Sequence, residues 1–214
     1  MLALIAGAPA PTAAHRRDEY LQAARIAIDP ARVQIELDLT PGIAVADAVI
    51  AEIDRDRSGT ISADEAGAYA TRVGREIGLD VDGTPLALIP GSHHFPTIAA
   101  MRSGEGVISL GLAARLPKLP AGHHDLGFRN RHRADIGVYL ANVLIPASDR
   151  VVVASQRRDP DQRELLIDFE LGAAPSTGAP GWLAAGLAAM MLATATIALQ
   201  RRLRRPPGGH SSPA

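Results

Sequence analysis

The 214-residue sequence contains no cysteine. Disulfides and thiolate metal sites are therefore excluded, and a chain without thiols is compatible with export. Aromatic residues are scarce as well: three Phe, three Tyr and one Trp. A hydrophobic core must rest mainly on Val, Ile and Leu. Neither sign of charge dominates, since 22 Lys and Arg stand against 23 Asp and Glu, for a net charge of -1. No global basic field invites nucleic acid. Familiar catalytic motifs are missing too. There is no Gly-x-Ser-x-Gly elbow, no Walker loop and no Gly-x-Gly-x-x-Gly after a strand pattern. With no thiol nucleophile either, the sequence points away from an enzyme.

The length fits one domain with appendages. Residues 1–14, MLALIAGAPAPTAA, are small and apolar and lack a basic leading region. They resemble the later part of a secretory signal peptide, with Thr12 and Ala14 at a small-x-small cleavage site before His15. Residues 15–30 read as a short helix or an edge strand that stops at Asp29-Pro30. Val33, Ile35, Leu37 and Leu39 then alternate with Gln34, Glu36 and Asp38, the period of a half-buried strand. From residue 79 the pattern is one of short strands and turns, beginning with an Asp82-Gly83 hairpin signal. The segments GVISLGLAARL, HDLGFRN, IGVYLANVLI, RVVVASQRR and RELLIDFEL follow at the intervals of an all-β sandwich.

Residues 172–181, GAAPSTGAPG, form a linker, and Trp182 to Leu199 carries no charge. That stretch is long enough to span a hydrocarbon core of ~30 Å. Arg201, Arg202, Arg204 and Arg205 follow it as a stop-transfer cluster on the cytoplasmic side. The expected fold is thus mainly β. A β-sandwich-like ectodomain over residues 15–171 carries one inserted helix–loop–helix at 43–77. A transmembrane helix over 182–199 and a basic cytoplasmic tail over 200–214 complete the chain.

The stretch Asp54 to Glu65, DRDRSGTISADE, holds the densest chemical signal. Asp54, Asp56 and Ser58 occupy positions one, three and five of a twelve-residue loop. Gly59 sits at six, where the chain must turn sharply. Thr60 at seven offers a backbone carbonyl, Ser62 at nine a hydroxyl or a bound water, and Glu65 at twelve a bidentate carboxylate. Hard oxygen donors at this spacing suit Ca²⁺. A helical pattern precedes the loop, with Val45, Val49 and Ile53 on one stripe. Another follows it, with Ala66, Tyr69, Ala70 and Val73 on one stripe. Arg55 and Arg57 and the serine ligands place the site toward the weak end of a range from ~10⁻⁹ to ~10⁻³ M.

On these residues the loop resembles the EF-hand family, which implies calcium coordination by Asp54, Asp56, Ser58, Thr60, Ser62 and Glu65. The run from His15 to Asp47, with LPKLPAGHHDLGFRN and YLANVLIP later, resembles the exported N-terminal domain of some bacterial membrane proteins. Some of these are related to nickel/cobalt permeases. The permease's membrane helices are absent, so transport does not carry over. Ala174 to Gly178, APSTG, resembles a sortase sorting signal of the Leu-Pro-x-Thr-Gly kind, with Ala174 in the Leu position.

The function these signals imply is that of a non-catalytic, calcium-binding, single-pass protein of a bacterial envelope. Its ectodomain would lie outside the cytoplasm and could meet an envelope protein partner. The competing expectation is a periplasmic accessory that captures nickel, cobalt or copper with the doublets His93-His94 and His123-His124. Those histidines, and His132 with Arg129, Arg131 and Arg133, otherwise read as solvated loop or edge residues.

Overall fold

Alternation of apolar and polar residues builds most of the chain. The computed structural model describes residues 18–174. In β1 (Tyr20–Asp29) and β2 (Arg32–Pro41) every second side chain is buried. The two strands pair antiparallel along their full length, from Tyr20 opposite Pro41 to Asp29 opposite Arg32. Two helices follow, α1 (Ala46–Ile53) and α2 (Ala63–Glu76), and α2 runs straight into β3 (Ile77–Val81). A tight turn with Asp82 at φ 50° and Gly83 at φ 74° then returns the chain as β4 (Thr84–Pro85). Positive φ at both central residues is what an Asp-Gly pair supplies to a hairpin. Next come β5 (Ile89–His94), the one-turn helix α3 (Ile98–Arg102), β6 (Ile108–Arg115) and β7 (Gly122–Asn130). The chain ends in β8 (Gly137–Val143), β9 (Val151–Arg158) and β10 (Glu164–Leu171).

These strands form two five-stranded sheets. The first runs β5-β6-β2-β1-β8 and the second β4-β3-β7-β10-β9. One hydrophobic cluster takes residues from both sheets and from the helices, among them Ile26, Ile35 and Leu37 of the first and Leu126, Ile167 and Phe169 of the second. Fully burying side chains of this size contributes roughly 1.5–3 kcal/mol each. The helical pair is the connection by which the chain leaves the first sheet at β2 and enters the second at β3.

The mainly β expectation holds, with the two sheets sharing one core. Three local expectations needed correction. Residues 20–29 are neither a helix nor an edge strand. They form an interior strand, because β8 pairs parallel to the free side of β1, with Tyr20 opposite Gly137 and Ile26 opposite Val143. That partner lies more than a hundred residues downstream, beyond the reach of local pattern. Strand β5 and helix α3 were not anticipated. Every residue of β5 is exposed, so no burial alternation marks it. Helix α3 is capped by Thr97, whose hydroxyl oxygen accepts from the Ala100 N–H at 3.2 Å. The signal-like segment 1–14, the span 182–199, the tail 200–214 and most of the linker lie outside the described residues. No described helix is long and apolar enough to cross a membrane.

Candidate metal centre

The loop between α1 and α2 is held by its own carboxylates. Asp54 ends α1, and its side chain is only 6% exposed. Its Oδ1 accepts the Ser58 N–H at 2.9 Å and its Oδ2 the Gly59 N–H at 3.0 Å. Asp56 Oδ1 also accepts from the Ser58 N–H, at 2.9 Å. Arg57 and Gly59 both take positive φ, 59° and 81°, which folds the chain sharply over these oxygens. A Cβ on Gly59 would meet nothing within 4 Å, so glycine is there for its backbone and not for space.

Glu65 closes the loop from the other end. Its Oε1 accepts the Arg55 N–H at 2.8 Å, and its Oε2 accepts the Ser62 N–H at 3.0 Å and the Ser62 hydroxyl at 2.8 Å. Ser62 is at the same time the N-cap of α2, its Oγ accepting the Glu65 N–H at 3.3 Å. This reciprocal cap satisfies two of the helix's orphan donors. The Ser58 hydroxyl donates to the Thr60 carbonyl at 3.0 Å. Oxygens of Asp54, Asp56 and Glu65 all lie within 4.8 Å of one another. Among the described ion pairs none joins these carboxylates to Arg55, Arg57 or any other base.

The six residues expected to ligate therefore fall into three groups. Asp54, Asp56 and Glu65 are brought together. Ser58 and Thr60 lie beside them, hydrogen-bonded to each other. The Ser62 hydroxyl is engaged by Glu65, so its contribution to a cation would pass through a water, as is common at position nine. Backbone donation from Ser58 holds the Asp56 carboxyl below its ordinary range, and donation from Ser62 does the same for Glu65. Three carboxylates converging with no base between them form an all-oxygen donor set that fits a hard divalent cation.

A buried polar network fixes the helices to the sheets. The hydroxyls of Tyr20 on β1 and Tyr69 on α2 share a hydrogen bond at 2.7 Å, and the Tyr69 hydroxyl meets His132 Nε2 at 3.0 Å. His132 Nδ1 lies 2.6 Å from Glu76 Oε2, at the end of α2. The Gln22 amide donates to the His132 carbonyl at 2.8 Å, and Asn130 donates to Gln22 at 2.9 Å. Arg72 sits over the Tyr69 ring, 5.0 Å from its centre, and also binds Glu52 on α1. Arg133 reaches Glu52 at 2.7 Å and Asp135 at 2.9 Å. Burial pushes the Tyr69 hydroxyl up to about 12. Burial also lowers the His132 pKa, outweighing the Glu76 carboxylate beside it.

This network corrects the solvated-loop reading for His132 and Arg133, while Arg131 is exposed as expected. His132 is 1% exposed, and Arg133 is tied down by two carboxylates. The only sequence signal was indirect: all three of the chain's tyrosines stand on inward-facing positions, the third being Tyr139, whose hydroxyl donates to the His132 carbonyl at 2.8 Å, and a buried tyrosine hydroxyl needs a partner.

The histidine doublets are not brought together. His93 and His94 lie on β5 in the first sheet, and His123 and His124 on β7 in the second. His124 is buried, with Nδ1 2.7 Å from Asp82 and Nε2 3.0 Å from the Pro120 carbonyl. Both of its ring nitrogens are thus engaged. Burial alone would lower its pKa, but the Pro120 carbonyl and Asp82 outweigh that and raise it.

No family model, curated protein or solved structure matches this chain.

Proposed function

We propose that the loop 54–65 is an EF-hand-like calcium site and that its calcium is structural. The supporting observation is the convergence of the Asp54, Asp56 and Glu65 carboxylates between α1 and α2, in the helical connection from β2 of the first sheet to β3 of the second. Asp54, Asp56 and Glu65 would hold the ion directly, with Ser58 and the Thr60 carbonyl beside them and Ser62 acting through water. When bound, the ion neutralises mutual repulsion among the three carboxylates and ties the end of α1 to the start of α2.

The wider reading is a non-catalytic envelope protein. Its β-sandwich-like ectodomain would be anchored by the 182–199 span and would face a partner in the envelope. The export signal, the anchor and the placement outside the cytoplasm rest on sequence alone. At extracellular calcium of roughly millimolar, a site of ~10⁻⁴ M stays occupied. A tenfold excess over the dissociation constant stabilises the folded chain by about 1.4 kcal/mol.

Calorimetric titration of the metal-stripped chain with Ca²⁺ tests the reading. One site is expected, lost in Glu65→Gln. Identical melting with and without calcium would defeat it.

A further inference from the structure

The outer face of the second sheet carries a mixed histidine and carboxylate cluster that the calcium reading leaves unused. His123 and Asp125 are two residues apart on β7 and so share a face. On the adjacent β10, Glu170 stands directly opposite His123, and Asp168 directly opposite Asp125. One ligating atom from each of His123, Asp125 and Asp168 falls within 4.8 Å of the others. We propose that these three side chains form a second metal site, for a divalent first-row transition ion of the zinc class.

Three features of the sheet support this assignment. First, Asp125 and Asp168 are a like-charge pair in direct cross-strand register, an arrangement that destabilises a sheet unless a cation lies between. Arg157 reaches only Asp168, at 3.7 Å, and among the described ion pairs Asp125 meets only His123, at 3.5 Å.

Second, the surrounding groups orient the donors as outer partners of a metal do. His123 turns Nε2 toward Asp125, while Nδ1 lies 3.5 Å from Glu170. With Glu170 beside Nδ1, Nε2 would be the ligating nitrogen and Glu170 the outer partner. The Ser155 hydroxyl on β9 donates to Asp168. Third, the β9–β10 ladder shifts register between Asp168 and Phe169, so that Ser155 faces Asp168 while Val153 faces Phe169. Such bulges re-aim side chains where they occur.

One imidazole nitrogen and two carboxylate oxygens suit zinc, cobalt or nickel better than calcium. Donors around a tetrahedral ion sit ~3.3 Å apart at metal–ligand distances of ~2.0–2.1 Å. Exposed side chains on paired strands can close to that spacing by small rotations. The site differs from the expected doublets: His123 takes part, His124 points into the core, and the remaining donors are carboxylates.

The test is calorimetric titration of the full-length, metal-stripped chain with Zn²⁺ while Ca²⁺ saturates the loop. One zinc site is expected. It should disappear in His123→Ala and in Asp168→Asn, weaken by roughly 10–100-fold in Glu170→Gln, and persist in Glu65→Gln. Asp125→Asn gives a second readout that does not depend on tight binding. It should raise the melting temperature without metal, by removing the like-charge pair, and abolish the rise that zinc produces in the wild type. Zinc binding that is absent, that survives His123→Ala, or that vanishes with Glu65→Gln would overturn the proposal. So would an Asp125→Asn chain that melts lower without metal. The calcium reading stands or falls separately, because its titration reads a different ion and a different residue.

Discussion

Glu65 carries two duties in the loop. It closes the donor set, and it accepts N–H groups at both loop ends. Glutamine keeps a carbonyl acceptor but loses the charge, so Glu65→Gln should remove calcium binding while leaving the calcium-free fold nearly intact. Gly59 separates backbone from packing. At φ 81° and with open space around the Cβ position, Gly59→Ala should cost about 1 kcal/mol through its left-handed conformation alone. Chemical denaturation with and without calcium would measure that cost. Tyr69 is the other decisive residue. Tyr69→Phe leaves the Tyr20 hydroxyl and His132 Nε2 short of a partner in a buried site, and should cost about 1–3 kcal/mol, read in the same experiment.

At the scale of the element, helix α2 joins three interactions. Its first turn shares the cap of Ser62 and Glu65 with the loop, its middle buries Tyr69, Ala70 and Val73, and its last turn places Glu76 on His132. Ser62→Ala removes the cap and frees one face of Glu65. It should lower stability by about 1 kcal/mol in calcium-free buffer. The loss should grow in saturating calcium if Ser62 also positions the ion's water. The sequence showed this helix plainly, because Ala66, Tyr69, Ala70 and Val73 keep the helical period. It could not show where the helix docks. Strand β5 lacks such a signal altogether, because an exposed edge with Pro90 and Gly91 has no period to display.

For the whole molecule, calcium should act on the helical connection from β2 to β3 more than on the sheets themselves. Removing it should speed amide hydrogen exchange in α1, α2 and β3, and leave β2 and β10 nearly unchanged. Uniform exchange changes across all strands would count against a local role. Acidity should act through the two buried histidines in opposite directions. The His132 pKa is lowered on folding, so its contribution is present above the unfolded value of about 6.5 and is lost as pH falls through the folded pKa. The His124 pKa is raised, so its contribution is present below about 6.5 and is lost as pH rises through the folded pKa. Stability from these two groups should peak near pH 6.5. Denaturation midpoints across about pH 5–8 should lose their acid-side decline in His132→Asn and their alkaline-side decline in His124→Asn.

The sequence by itself determined the features set by neighbours along the chain. The alternation in β2 and β10, the Asp82-Gly83 turn, the helical stripes and the donor spacing of 54–65 all depend on residues within about one or two turns of each other. The three carboxylates of the loop meet through contacts within those twelve residues: the turn at Arg57 and Gly59, and the hydrogen bonds that Glu65 accepts from Arg55 and Ser62. Tertiary structure alone decided which strands adjoin. Pairing of β1 with β8 made an interior strand of residues 20–29, and packing of the helices drew His132 against Tyr69 of α2 and Arg133 against Glu52 of α1. Asp125 faces Asp168, and His123 faces Glu170, only through the register of β7 and β10. Such register is fixed by burial of one face against the shared core, a condition that residues more than forty positions apart satisfy jointly and that no local pattern records.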